Sequence, residues 1–200
     1  MSAPQSVDRY RALFEPKGII VAGASSHPGK FGFVAAHNIL AHGYTGEVFL
    51  TNREGGTILD QRTYRSVDEL PDDCADLVFV CTPPASIPDL LRSCARKGVK
   101  AAFVSSAGFG EAGEEGLLAE RELARLCDEL GILLAGPNGQ GIISTPVGLC
   151  AQIIAPYPPA GRIAVASQSG GFFQAFLNYA RSSGVGVSRA ISCAVGPFRT

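Results

Sequence analysis

A chain of 200 residues is long enough to bury a sizeable core, as one large domain or one and a half. Its 17 Lys and Arg against 18 Asp and Glu leave a formal charge of −1, and no basic run forms an arm, which excludes a general attraction to nucleic acid. No apolar run reaches the ~18 residues that a spanning helix needs, so no membrane partner is expected.

The N-terminal "MSAPQSVDRYRALFEPKG" is polar and charged where a secretory signal needs an apolar segment. Six cysteines (Cys74, Cys81, Cys94, Cys127, Cys150, Cys193) are scattered without a CxxC pair, and several lie in apolar runs. Free buried thiols in a cytoplasmic protein are expected, with no metal site.

In chain order, strand-length apolar runs at 18–23, 47–51, 76–82, 100–106 and 132–136 alternate with helix candidates at 30–42, 85–97 and 114–130. Runs apolar on both faces and separated by helices predict an α/β fold, a parallel sheet covered on both sides. In such sheets ligands bind beyond the carboxyl ends of the strands. The helix over 114–130 is expected to gather Leu117, Leu118, Leu123, Leu126 and Leu130 on one face, with acids at its start that complement the helix dipole. From 137 to 161 the chain is turn-rich, with Pro156, Pro158 and Pro159 reading as a linker. A fresh strand–helix–strand unit then begins with "RIAVAS", "GGFFQAFLNYARSSG" and "VSRAIS". Two strands and a helix cannot bury both sheet faces alone. The expectation is a full first domain over 1–150 and the beginning of a second over 151–200.

The turn after the first strand, "VAGASSHPGKFG" (21–32), invites comparison with phosphate loops. A Walker A loop needs G-x-x-x-x-G-K-[ST]. Here five residues separate Gly23 from Gly29, and Phe31 stands where the metal-binding hydroxyl belongs, so a P-loop is excluded. The dinucleotide fingerprint G-x-G-x-x-G is also incomplete, because Ser25 replaces the second glycine and no acid closes the second strand. That strand ends "FLTNREGG", with Arg53 suited to an adenosine whose ribose carries a phosphate. NADP and coenzyme A both have such a ribose. Gly23, Ser25, Ser26, Pro28, Gly29 and Lys30 make a strand-to-helix anion site in either case. His27 reads as a loop residue, and His37 and His42 as structural.

Three further loops leave the same sheet edge. "CTPPAS" (81–86) offers a rigid apolar wall at Thr82, Pro83 and Pro84. "SSAGFGEAGEEG" (105–116) carries Ser106, Ala107, Gly108, Gly110 and Gly113, and its amides are expected to be open to a ligand. "GPNGQG" (136–141) places Asn138 where it can bond a ligand amide. In the second unit Ser167, Ser169, Gly170 and Gly171 make a second anion site at a helix start. "SQSGG" lacks the glycine two places before Ser169 that a nucleophile elbow needs, and no histidine follows His42, so a serine hydrolase is excluded.

Taken together, "VAGASSHPGKFG", "TNREGG", "VCTPPAS", "VSSAGFGEAGEEG", "LLAGPNGQG" and "RIAVASQSGG" stand in the order found in NDP-forming acyl-CoA synthetases, the superfamily of the succinyl-CoA ligase alpha subunit. The resemblance covers about residues 16 to 192. It implies a Rossmann-type CoA-binding domain followed by the start of a flavodoxin-like domain. It also implies coenzyme A as cofactor, CoA or acyl-CoA as ligand, an ATP-grasp partner subunit or domain, and an oligomer. Gly23–Gly29 and Lys30 then correspond to the loop for the CoA phosphates, and Arg53 to the adenosine end. In the family the segments matching Thr82–Ala85, Ser106–Gly108 and Gly136–Asn138 line the path toward the thiol. Ser167–Gly171 open a helix whose N-terminus stabilises a phosphohistidine. The implied reaction joins a carboxylate to CoA through an acyl phosphate while NTP becomes NDP and phosphate.

The chain departs from the family at "NRE" for "NPK", at Gly139 for a cysteine, and at the tail "CAVGPFRT". The family's phosphorylated histidine lies beyond residue 200, so no catalytic residue is assigned. A non-catalytic CoA-binding regulatory module and an NADP-binding oxidoreductase domain stay open as alternatives.

Overall fold

The expected alternation of strands and helices is present in the computed structural model, which describes residues 3–192. The chain runs α1 (Ala3–Phe14), β1 (Gly18–Ala22), α2 (Phe31–Ala41), β2 (Glu47–Thr51), β3 (Gly56–Ile58), β4 (Gln61–Tyr64), β5 (Leu77–Val80), α3 (Ile87–Arg96), β6 (Ala101–Val104), α4 (Glu114–Leu130) and β7 (Leu133–Ala135). The strands form one sheet in the order β3-β4-β2-β1-β5-β6-β7. Neighbours are parallel except for β3, which runs antiparallel to β4 at the edge. This is the Rossmann-like sheet that the resemblance implies.

Every residue of β1, β5 and β6 is buried, as two-sided coverage requires of a central parallel strand. One face packs Leu13 of α1 and Ala35, Ala36 and Ile39 of α2 on Ile19, Val21, Leu50, Phe79 and Phe103. The other packs Ile87 and Leu91 of α3 and Leu123 and Cys127 of α4 on Ile20, Val78, Val80 and Val104. The leucine face expected of α4 is only half realised: Leu117 and Leu118 are 40% and 53% exposed. The contact is set by Gly116 instead, where an added Cβ would stand 1.9 Å from the Phe109 carbonyl oxygen. That close approach turns the neighbouring leucines outward. Helix α1 and the β3–β4 hairpin are additions to the sequence reading.

The remaining elements are β8 (Gly141–Ser144), β9 (Leu149–Gln152), β10 (Ala160–Ser167), α5 (Gly170–Ser183) and β11 (Val187–Ser192). They make a second sheet in the order β10-β11-β8-β9, with β10 and β11 parallel and joined through α5. The turn-rich reading of 137–161 is corrected over 141–152, which fold as the β8–β9 hairpin, with every strand residue buried and β8 antiparallel to β11. Pro156, Pro158 and Pro159 stay in the irregular stretch between β9 and β10.

One side of the hairpin sends Ile143 under α5 with Phe173, Leu177, Val187 and Ala190. The other sends Ile142, Leu149 and Ala151 into the core beneath α1 and α2. The hairpin thus supplies the burial that a lone strand–helix–strand unit lacks. Asn38 of α2, only 6% exposed, donates from Nδ2 to the carbonyls of Gln152 and Ile154, both at 2.9 Å. Strand β10, by contrast, is exposed along most of its length.

Cys94, Cys127 and Cys150 are buried and Cys74 and Cys81 half-buried, all five as free thiols. Cys193 and the tail "CAVGPFRT" lie outside the described residues. Among the described residues no helix is long and apolar enough to cross a membrane.

Candidate functional site

The sheet order reverses at β1, which has β2 on one side and β5 on the other. Helix α2 follows β1 onto one face and α3 follows β5 onto the other, so their loops part and leave a crevice at the carboxyl edge. At that point Gly23 turns the chain with φ +86°, and a Cβ on it would lie 2.9 Å from the Cys81 carbonyl. A Cβ on Gly32 would lie 1.9 Å from the Gly23 oxygen, so α2 starts pressed against the turn it leaves. Gly32 thus has the close-packing role of the third fingerprint glycine, nine residues beyond Gly23. The sequence reading missed it. A helix-weakening glycine in the first turn was the available signal.

The loop between these glycines is braced from within. The amides of Gly23 and Ala24 both donate to the Thr51 carbonyl at 3.0 Å, tying the loop to β2. Ser25 Oγ accepts from His27 N at 3.0 Å, His27 Nδ1 accepts from Gly29 N at 3.1 Å, and Lys30 N donates to the His27 carbonyl at 3.0 Å. His27 is thereby a brace of the loop. Lys30 is the N-cap of α2 and makes no side-chain cap bond. The amides of Ser25, Ser26, Phe31 and Gly32 find no acceptor among the described residues, and Ser26 to Phe31 are exposed. Free amides at a helix start attract an anion.

Beyond β2, Asn52 Oδ1 accepts from the amides of Glu54 at 2.9 Å and Gly55 at 2.7 Å. The turn presents Arg53 at its exposed tip, without an ion pair among the described residues. The loops after β5, β6 and β7 are stitched together. Ser106 Oγ donates to the Thr82 carbonyl at 2.6 Å, and Asn138 N donates to the Ser106 carbonyl at 3.1 Å. Thr82 Oγ1 is enclosed without a partner. Pro84 faces Gly108, where a Cβ would meet its Cγ at 3.1 Å. Thr82, Pro83, Pro84, Ser106, Ala107, Gly108 and Asn138 therefore share one rim.

The glycine amides of the 105–116 loop are not open as expected. The amides of Gly108 and Phe109 donate to the Glu111 carboxylate, and that of Gly110 to Glu120 Oε2 at 3.0 Å. Partial burial pushes the Glu111 carboxyl up, but the bonds from the Gly108, Glu111 and Phe109 amides outweigh it and hold the group below its usual range. The glycines that free these amides also let a nearby acid reach them.

At the second turn, Ser167 and Ser169 bond each other through side chain and backbone, and Ser169 Oγ caps α5 by accepting from Phe172 N at 3.2 Å. The amides of Gly170 and Gly171 find no acceptor among the described residues. A Cβ on Gly170 would strike Gln140 Nε2 at 2.6 Å, so Gln140 covers this helix start, with its Oε1 enclosed and unpartnered. Gln140 stands two residues after Asn138 and links the first rim to the second turn; the sequence reading passed over it. Gly139 lies where a Cβ would press on Phe103 Cζ and the Ser192 carbonyl, both at 2.5 Å.

Among the described residues no thiol is a ready nucleophile. Burial pushes Cys81 up to about 11 against a weaker opposing bond from Ser105, and pushes Cys94, Cys127 and Cys150 up to about 12.

A family model described as CoA binding domain matches residues 17–145. The chain belongs to the CoA-binding domain family. It is 36% identical over 185 residues to the alpha subunit of acetate–CoA ligase [ADP-forming] I of Pyrococcus furiosus, covering 90% of this chain and 40% of that protein. It is 39% identical over 180 residues to acetate–CoA ligase [ADP-forming] I of Archaeoglobus fulgidus, covering 90% of this chain and 26% of that one. The dinucleotide-forming acetyl-coenzyme A synthetase 1 of Ca. Korarchaeum cryptofilum, solved with phosphate and ADP, superposes with a TM-score of 0.86 at 30% identity over 92% of this chain and 39% of its own. The chain thus spans about two-fifths or less of these relatives.

Coenzyme A is the cofactor of this domain, and the crevice suits its chemistry. The molecule has a pyrophosphate, a ribose 3′-phosphate and a long amide-bearing arm. Free amides at the α2 start, an unpaired Arg53 and the enclosed Thr82 hydroxyl match those needs in kind.

Proposed function

We propose that this chain is the CoA-binding portion of an NDP-forming acyl-CoA synthetase, which converts carboxylate, CoA and NTP into acyl-CoA, NDP and phosphate through acyl phosphate and a phosphohistidine. The observation that carries the reading is the braced turn from Gly23 to Lys30, which offers free amides at the sheet's switch point. In this reading Gly23, Ser25, Ser26, Pro28, Gly29 and Lys30 hold the pyrophosphate, and Arg53 meets the adenosine end. Thr82, Pro83, Pro84, Ser106, Ala107, Gly108 and Asn138 guide the arm toward the thiol. Ser167, Ser169, Gly170 and Gly171 receive a phosphoryl group at the start of α5.

In this reading the phosphohistidine comes from further into the second domain and the nucleotide site from an ATP-grasp domain or subunit, within a cytoplasmic oligomer. In this reading the chain is two units, 1–150 and 151–200, the second the start of a flavodoxin-like domain, and the boundary falls inside β9, so the two share the β8–β9 hairpin. The alternative reading is a CoA-binding regulatory module without chemistry of its own.

Ligand-induced stabilisation tests the first reading, because a ligand that binds only the folded state raises the melting temperature. CoA is expected to raise it most, dephospho-CoA less, and NADP not at all. A response to NADP alone sinks the CoA reading. Acyl-CoA formation after adding the histidine-bearing remainder of the second domain and an ATP-grasp partner, with NTP and a carboxylate, separates synthetase from regulatory module.

A further inference from the structure

The turn that presents Arg53 carries a second arginine on its flank. Strand β4 runs parallel to β2, with Leu50 opposite Thr63 and Thr51 opposite Tyr64, and Asn52 N donates to the Tyr64 carbonyl at 2.9 Å. Arg65 therefore leaves β4 at the same carboxyl edge as the Asn52–Gly55 turn. A Cβ added to Gly55 would lie 3.3 Å from Arg65 Cγ and 3.7 Å from its Nε, so the Arg65 stem lies across that turn.

Its backbone is fixed, since Arg65 N donates to Glu69 Oε2 at 3.0 Å. Its guanidinium, like that of Arg53, makes no ion pair or hydrogen bond with a described residue. Arg62 differs. It points to the opposite face of the strand and lies over the Tyr64 ring at 4.6 Å.

We propose that Arg65 is a specificity-determining residue of the coenzyme A site, which together with Arg53 forms a two-armed clamp on the ribose 3′-phosphate. The inference rests on the CoA reading above. A terminal phosphate monoester carries close to two negative charges and three acceptor oxygens, more than one guanidinium fork satisfies. Two planar forks approaching from the tip and the flank of one turn can each bond it in bidentate fashion. The Arg65 stem is already laid down on Gly55, so less side-chain freedom is lost on binding. Dephospho-CoA, identical except for this phosphate, has no use for the clamp.

Titration calorimetry of the full chain with CoA and with dephospho-CoA tests this. Arg65→Ala is expected to weaken CoA binding about tenfold, about 1.4 kcal/mol, and to leave dephospho-CoA binding unchanged. Arg65→Lys is expected to recover part of the loss, and Arg62→Ala to change neither ligand. The ligand-free melting temperature of Arg65→Ala and Arg65→Gln checks that the fold is intact. Equal weakening of both ligands, or no change for CoA, overturns the clamp while leaving the CoA site standing. Absence of CoA binding by the unaltered chain overturns the CoA reading and the clamp with it.

Discussion

The turn after β1 and the turn after β10 share a plan, in which a strand ends in a serine-bearing loop and a helix starts with free amides, but they differ in what stands behind them. The first leaves a fully buried strand at the middle of the sheet and is wedged by backbone contacts from Gly23 to Cys81 and from Gly32 to Gly23. The second leaves an exposed edge strand and is shaped by its own two serines. A site wedged by backbone is preformed and intolerant of change. A site held by side-chain caps on an uncovered strand is locally determined and gains rigidity only from what packs over it.

The largest expected contrast is at the glycines. Gly32→Ala drives a Cβ into a backbone oxygen and is expected to cost about 3 kcal/mol in denaturant unfolding, together with loss of CoA binding. Gly171→Ala, whose Cβ meets only Ser169 Oγ at 4.0 Å, is expected to be neutral or to gain about 0.5 kcal/mol from helix propensity. If the two alanines cost the same, the distinction between wedged and capped turns fails. Next in size, Ser169→Ala removes the α5 cap and is expected to cost about 1 kcal/mol while CoA affinity stays constant. A change in affinity there would mean that the two turns are energetically one site.

The smallest effect concerns His42, which follows α2 and stacks on Tyr157 at 4.3 Å, tying the first unit to the segment before β10. Burial, aided by the charge of His37, lowers its pKa from the ordinary 6.5. The neutral ring is therefore favoured in the fold, and the unfolded chain binds more protons near that pH. Its contribution is complete above about 6.5 and is lost as pH falls through the lower folded value. Urea unfolding at stepped pH should show this slope, and His42→Phe, which keeps the stacked ring, should flatten it.

The central sheet was legible because two-sided burial leaves no choice of residue: "GIIVAG", "DLVFVCT" and "KAAFVSS" read as parallel strands whatever covers them. The order of the site loops followed from the same alternation. The β8–β9 hairpin was not legible. Its strands have four residues each, and Pro146 and Gly148, which make the turn, carry the same signal as a linker. The 105–116 loop was misread for a different reason. Its glycines announce free amides, while the acids that fill them are Glu111, three residues on in the same loop, and Glu120, which arrives only once α4 folds back toward it. Arg65 and Gln140 were passed over because each acquires its place from a chain reversal, one beside Gly55 and the other beside Gly170. Such neighbours have no period in the sequence.

The hairpin also bears on how this molecule can be taken apart. A cut at residue 150 runs through β9, leaving Leu149 on one fragment and Ala151 on the other, although both pack in the core beneath α1 and α2. A cut before Gly141 removes Ile142 from the same core and leaves Asn38 without the two carbonyls it holds. A minimal CoA-binding fragment therefore has to keep the hairpin whole, and with it β11, the strand that closes the hairpin's other edge.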